Sequence, residues 1–149
     1  MNTVSSCLVS IDKAVLSEKE ITDKIFAIRN HVFVEEQQVD RDEEFDIFEA
    51  SSLHYLGSCN GIPAGTARWR FTEKGIKLER FAVEKSMRGT GIGKAVLAEV
   101  LKDVIPLRKK IYLHAQVSAM GFYEKAGFKK EGPMFSEANI DHFLMTYGE

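Results

Sequence analysis

Cysteine is scarce in this sequence: Cys7 and Cys59 are the only two, far apart and with no C-x-x-C pair. Neither a disulfide framework nor a zinc site follows from them, and a reducing compartment suits them. Proline is equally sparse, with three residues spread along the chain, and no Pro/Gly/Ser-rich tract, internal repeat or low-complexity stretch divides it. No run approaches the roughly 18 apolar residues of a membrane span. The start of the chain also lacks a basic region followed by an apolar stretch, so a cytoplasmic protein with no membrane partner is expected. Positive charge is not in surplus either. The formal net charge is −2, which argues against a nucleic-acid partner and requires any anionic ligand to be bound locally. His31, His54, His114 and His142 lack metal-ligand spacing, so each reads as structural and no metal is expected.

What remains is an ordinary globular composition, 44% hydrophobic and 28% charged, in a chain of 149 residues that suits one core. Residues 1–149 are therefore read as a single domain. Residues 7–11 alternate weakly as an opening strand. From 18 to 34, Ile21, Ile25, Ile28 and Val32 recur at helical spacing and mark one buried face. Residues 35–49 are dominated by acids with no apolar period and read as a loop. Strands at 53–59 and 62–71 flank Asn60-Gly61, the dipeptide favoured in a tight hairpin, and a third strand follows at 76–83. A helix from Gly91 to Val104 stops before Pro106. After a strand at 110–116, Ser118 is suited to cap a short helix that Gly127 closes, with last strands at 128–131 and 142–147. The fold class is α/β of the α+β kind, a mixed and mostly antiparallel twisted sheet flanked by helices.

The chemistry concentrates in Arg88-Gly89-Thr90-Gly91-Ile92-Gly93, between a strand and a helix. There the first-turn amides lack intrahelical partners and the helix dipole favours an anion, while glycine allows a phosphate to approach the backbone. Arg88 and Lys94 add positive charge. A Walker loop is disfavoured by spacing, since Gly89 to Gly93 is one residue short and Ala95 follows Lys94. The dinucleotide fingerprint is disfavoured as well, because the third glycine comes early and the preceding strands read as antiparallel.

Spelled R-x-x-G-x-G and preceded by Leu78-Glu79-Arg80-Phe81-Ala82-Val83, the turn resembles the pyrophosphate motif of the GNAT superfamily of acyl-CoA-dependent N-acyltransferases. Ala115-Gln116, Ala119 and Phe122-Tyr123-Glu124-Lys125-Ala126-Gly127-Phe128 are similar to the later strand and helix of that family. Residues 28–37, with the acids that follow, resemble the opening of its ElaA/YjcF-like branch; Glu137-Ala138-Asn139-Ile140-Asp141-His142 follows only part of the branch's E-D-G-I-P-H pattern.

The resemblance implies acetyl-CoA as co-substrate, held by Phe81, Ala82, Val83, Arg88, Gly89, Thr90, Gly91, Ile92, Gly93 and Lys94. It also implies a backbone bulge near Phe81, Ala82 and Val83 whose amide polarises the thioester, and Tyr123 as proton donor to the leaving thiolate. The competing reading of Tyr123 is plain core. The acceptor is a small-molecule or protein amine, and a homodimer is left open. Alternatives are a non-catalytic acyl-CoA sensor of the same fold and an aminosugar acetyltransferase of the glucosamine-phosphate type. An alkylammonium with a pKa near 10.4 is only about one part in a thousand neutral at pH 7, so a proton acceptor is required. Glu79 is the candidate, expected to share a strand face with Phe81 and Val83. Its other reading is an ion pair with Arg68, Arg70 or Arg80. The acidic stretch 35–49 reads as a solvated face or as a surface steering a cationic acceptor.

Overall fold

A computed structural model describes residues 7–148. Seven strands, β1 (Val9–Ala14), β2 (Leu53–Cys59), β3 (Ile62–Thr72), β4 (Gly75–Val83), β5 (Ile111–Gln116), β6 (Phe128–Glu137) and β7 (Ile140–Tyr147), form one open sheet in the order β1-β2-β3-β4-β5-β7-β6. Every neighbouring pair is antiparallel except β4 and β5. Between them run α1 (Lys19–Arg29), α2 (Arg41–Glu44), α3 (Ile92–Val104) and α4 (Met120–Lys125). No helix among the described residues is long and apolar enough to cross a membrane.

Local chemistry explains most of this order. Asn60 and Gly61 both take positive φ, 53° and 80°, as the β2–β3 turn demands. A second turn of the same kind joins β6 to β7 through Ala138 at 52° and Asn139 at 61°. β6 extends past the expected 128–131 to Glu137, and because alanine gives no turn signal that extension could not be read from the sequence. The apolar stripe of α1 is as expected, with Ile25 and Ile28 fully buried. At Asn30, however, the helix widens into a π-helical stretch, Asn30–Glu36, that buries Val32 and Phe33. Apolar spacing marks the buried face without fixing the hydrogen-bond ladder.

The sheet has two covered faces. On one, Val96, Leu97, Val100 and Val104 of α3 meet Leu78, Leu113, Ala115 and Met145. On the other, Ile25 and Ile28 of α1 and Val32 of the π-helical turn meet Leu56 and Ala82. The start of α3 packs over Gly57 and Gly65, which are paired across β2 and β3 beneath Ile92. A Cβ on Gly57 would come to 2.7 Å from Val96 Cγ2 and 3.2 Å from Ile92, and one on Gly65 to 3.6 Å from Ile92.

Two expectations are corrected here. Antiparallel pairing of β1 with β2 brings Cys7 beside Cys59, Cα–Cα 5.2 Å, and the two are joined as a disulfide. Sequence distance hid a neighbour relation that the sheet creates. The acidic stretch is a solvated face only in part: Glu35, Glu36, Asp40, Asp42 and Glu43 are exposed, but Glu44 and Glu49 are 3% and 7% exposed. They are buried because they clasp Arg29, itself 0% exposed, through Glu44 Oε2 at 2.8 Å and both oxygens of Glu49 at 2.8 Å. The stretch is a strap tied into the α1 face, with Asp40 capping α2 by accepting from the Asp42 amide.

Candidate active site

Strands β4 and β5 are hydrogen-bonded only over Ile76↔Ile111, Lys77↔Tyr112 and Leu78↔Leu113. Beyond Leu78 they part. The parting coincides with a bulge in β4, where the register with β3 jumps from Arg68↔Glu79 to Thr66↔Ala82, so that Arg80 and Phe81 together oppose Ala67. Arg80 takes φ 60°, a conformation costing an L side chain about 1–2 kcal/mol. Its guanidinium anchors the distortion to the strap through the carbonyls of Glu43 and Glu44, both at 3.3 Å, and Asp46 Oδ2 at 3.1 Å.

The bulge reverses the alternation of side chains. Glu79 and Phe81 therefore lie on opposite faces, contrary to the two-residue period: Phe81 packs on Tyr123 with ring centroids 5.7 Å apart, whereas Ala82 joins the α1-side core. A cleft of about 560 Å³ passes through the gap, lined by Gly93, Phe122 and Tyr123 from the α3 and α4 side and by Glu79, His114 and His142 from the other.

At the head of α3 the turn behaves as its glycines require. Gly89 and Gly91 have φ 86° and 87°. Thr90 is folded inward, its hydroxyl donating to the Met87 carbonyl at 2.6 Å and accepting from the Ile92 amide at 3.3 Å. The first helical bond is Ala95 N–H to Gly91 O. The amides of Gly89, Gly91, Gly93 and Lys94 have no acceptor among the described residues. A Cβ on Gly91 would meet nothing within 4 Å, so this face of the turn is open to a ligand. Ile92 is an anchor, 1% exposed in the notch above Gly57 and Gly65. Arg88 is engaged within the protein: it forks onto Glu36 at 2.6 and 2.7 Å and donates to the Val83 carbonyl. It ties the turn to the π-helical stretch.

Tyr123 combines both sequence readings. Its ring is core, in edge contact with Phe81, Phe122 and Phe128, yet it lines the cleft and its hydroxyl has no partner among the described residues. Burial pushes the phenol up, so it stays protonated throughout the neutral range.

Glu79 is surrounded by cations. Its carboxylate accepts from Arg70 Nε at 2.7 Å and from Arg68 at 3.0 and 3.2 Å, with Lys77 Nζ at 3.1 Å. Burial alone would raise its pKa, but the Arg70 hydrogen bond and the charges of Arg68 and Lys77 outweigh it and hold the carboxyl at about 2. Of the two readings of Glu79, this geometry favours the ion pair. Arg68 continues the network to Asp46 and Glu49 at 2.8–3.0 Å, and so locks the strap to the sheet.

Across the gap lies a group that its sequence spacing marks only as structural. His114, the first residue of β5 past its last bond to β4, has Nδ1 3.0 Å from Glu137 Oε1; His142 Nε2 lies 4.0 Å from the other carboxylate oxygen, and its Nδ1 donates to the Ile140 carbonyl at 2.7 Å. Phe135 stands between the rings, edge-on to His114 and stacked on His142. His114 shares its side of the sheet with Glu79 through the β4–β5 register. The only sequence signal was the even spacing of Tyr112, His114 and Gln116 on a strand whose odd positions are apolar.

The sequence profile described as acetyltransferase (GNAT) domain matches residues 14–148. Two Bacillus subtilis proteins align along most of the chain. YyaT is 36% identical over 140 residues, 90% of this chain and 93% of that one. The N-acetyltransferase YjcF is 36% identical over 139 residues, 89% of this chain and 97% of its own. Among solved structures, Escherichia coli ElaA superposes with a TM-score of 0.84 at 22% identity, covering 95% of this chain and all of that one. An open sheet splayed between two parallel strands, a glycine turn at the helix behind the splay and a match along almost the whole length agree: this chain belongs to the GNAT family of acetyltransferases, of the ElaA and YjcF type.

Proposed function

We propose that the protein transfers an acetyl group from acetyl-CoA to a primary amine by direct attack on the thioester. The observation that carries this reading is the set of unpartnered amides at Gly89, Gly91, Gly93 and Lys94, at one end of a cleft that also contains the Tyr123 hydroxyl. Such amides at a helix start suit a pyrophosphate. A related fold, an aminoglycoside 6'-N-acetyltransferase with a TM-score of 0.70, is known in complex with coenzyme A, which supports use of the same co-substrate here.

Bound acetyl-CoA supplies an activated acyl group with a thiol leaving group. The chain's own contributions follow from the geometry. The α3 turn holds the pyrophosphate, and the backbone of β4 from Glu79 to Val83, unpaired on its β5 side, offers amides along the gap. The amides left unpaired at the bulge around Phe81 would be the donors available to a thioester oxygen. Tyr123, kept protonated by burial, gives its proton to the departing sulfur. The acceptor enters from the strap side, where the cleft is lined by Phe48, Arg70, Lys77 and His114. A cleft of about 560 Å³ suits a small molecule or an extended side chain.

The test has two arms. Acetyl-CoA should raise the melting temperature, as any ligand of the folded state does. Free CoA thiol should then be released with at least one of spermidine, lysine, glucosamine 6-phosphate or a lysine-containing peptide. Binding without thiol release would point to an acyl-CoA sensor, and no binding at millimolar acetyl-CoA would sink the reading.

A further inference from the structure

Resting on that reading, we infer that His114 is the group that takes the proton from the incoming ammonium, with Glu137 positioning it. Three observations carry this. First, the neutral imidazole has one N–H and one lone pair. With Nδ1–H donating to Glu137 Oε1 at 3.0 Å, the lone pair is left on Nε2, which has no partner among the described residues. Second, the ring sits where β5 leaves β4 and lines the cleft, so the free nitrogen belongs to the gap through which amine and thioester must meet. Third, the rival carboxylate is saturated: Glu79 accepts from two arginines and faces a lysine ammonium, and a base so stabilised takes protons poorly.

Glu137 itself is held in place for the task. Its second oxygen faces His142 Nε2 at 4.0 Å, and Phe135 packs edge-on to His114 at 5.0 Å, fixing the tilt of the ring. The hydrogen bond from His114 lowers the Glu137 carboxyl, so it is ionised when the imidazole needs orienting. Other charged or titratable groups near His114 are His142 on β7, Lys77 and Glu79 on β4 and Tyr112 on its own strand; Gln37, just past the π-helical stretch, is uncharged and bonded to Gln116. No cluster of three or more His, Cys, Asp or Glu among the described residues has the geometry of a metal site, so the two histidines and the carboxylate are not arranged as ligands.

The proton count closes. One N–H bond of the ammonium breaks and its proton passes to His114 Nε2. The freed lone pair forms the C–N bond at the acetyl carbonyl, and the C–S bond breaks. Tyr123 gives a proton to the sulfur and recovers one from the new amide nitrogen, leaving amide and free thiol. The imidazolium then loses its proton to water beside Glu137, whose side chain is 45% exposed.

The experiment is the pH dependence of kcat for wild type, His114→Gln and Glu137→Gln, with acetyl-CoA and the fastest amine of the panel above. His114→Gln should lower kcat about a hundredfold at pH 7, with KM for acetyl-CoA unchanged. Wild-type kcat should fall along an acid limb. In the variant that limb should be replaced by a rate rising with hydroxide, so that the defect shrinks towards pH 10, and imidazole in the buffer should restore part of the loss. Glu137→Gln should give a smaller fall with the same KM, and Glu137→Asp should recover part of it. Retention of the acetyl-CoA melting shift shows that each variant is folded; if His114→Gln is not, Glu137→Gln carries the test. An unchanged profile in a folded variant, with wild type active, overturns the inference alone. Wild type inactive with every amine overturns the acetyltransferase reading, and this inference falls with it.

Discussion

At the start of α3, four backbone amides are without an acceptor among the described residues, beside a cleft that Gly93 lines, whereas on the strap side the charges of Arg68, Glu79, Arg29 and Glu49 are all met by opposite charges of the same chain. The first wall holds its binding capacity in reserve for a ligand. The second has spent its charges on one another, as buried ions must, because an unpaired buried charge costs several kcal/mol. The contrast separates recognition from architecture: substitutions at the turn should change binding more than stability, and substitutions in the strap network the reverse.

The largest expected effect is therefore on folding. Arg68→Ala leaves Asp46, Glu49 and Glu79 without a shared cation and should cost about 3–5 kcal/mol, read as a fall of roughly 10 °C or more in thermal denaturation. A loss below about 1 kcal/mol would show that the network is not what ties strap to sheet. Next comes Gly91→Val. It should remove the melting shift given by acetyl-CoA, a loss of affinity of at least about a hundredfold, while the positive φ there costs the unliganded protein only about 1–2 kcal/mol. Normal binding would mean that the turn does not hold the pyrophosphate.

Smaller again is Tyr123→Phe, which keeps the edge contacts with Phe81 and Phe128 and removes only the donor. Here kcat should fall by about a hundredfold with KM for acetyl-CoA little changed. A variant keeping more than about half of wild-type kcat, with chemistry rate-limiting, would take Tyr123 out of the mechanism. The finest test is Glu79→Gln. A carboxyl held at about 2 does not titrate where the enzyme works, so the shape of the pH–rate profile should stay as in wild type. Its depressed pKa stabilises the fold above the ordinary glutamate range, and that contribution is lost as pH falls from about 4.5 towards 2. Acid melts of wild type and variant should therefore converge at the bottom of that window; a profile that loses its acid limb in Glu79→Gln would restore Glu79 as the base.

The same contrast decides what could be read from sequence. The turn is six contiguous residues whose conformational demands are local, so it was legible at once, as were the α1 stripe and the Asn60-Gly61 hairpin. The strap network was not. Arg29 looks like any helix arginine, and only the chain reversal that places Glu44 and Glu49 over it makes a buried cation affordable. Face assignments on β4 failed because one bulge inverts the alternation after Glu79, and a bulge has no composition signal of its own here. His114 and Glu137 lie 23 positions apart on strands joined only through the β5-β7-β6 order, so their meeting is a fact of topology.

The notch formed by Gly57 and Gly65 acts as a depth stop. Those two missing side chains set how far Ile92 sinks, and with it the height at which the unpartnered amides stand above the sheet. The aim of a binding site on the surface is thus adjusted from two positions that no ligand touches. A side chain at Gly57, which would meet Val96 Cγ2 at 2.7 Å and Ile92 at 3.2 Å, would press on the helix start and mis-sight every donor at once.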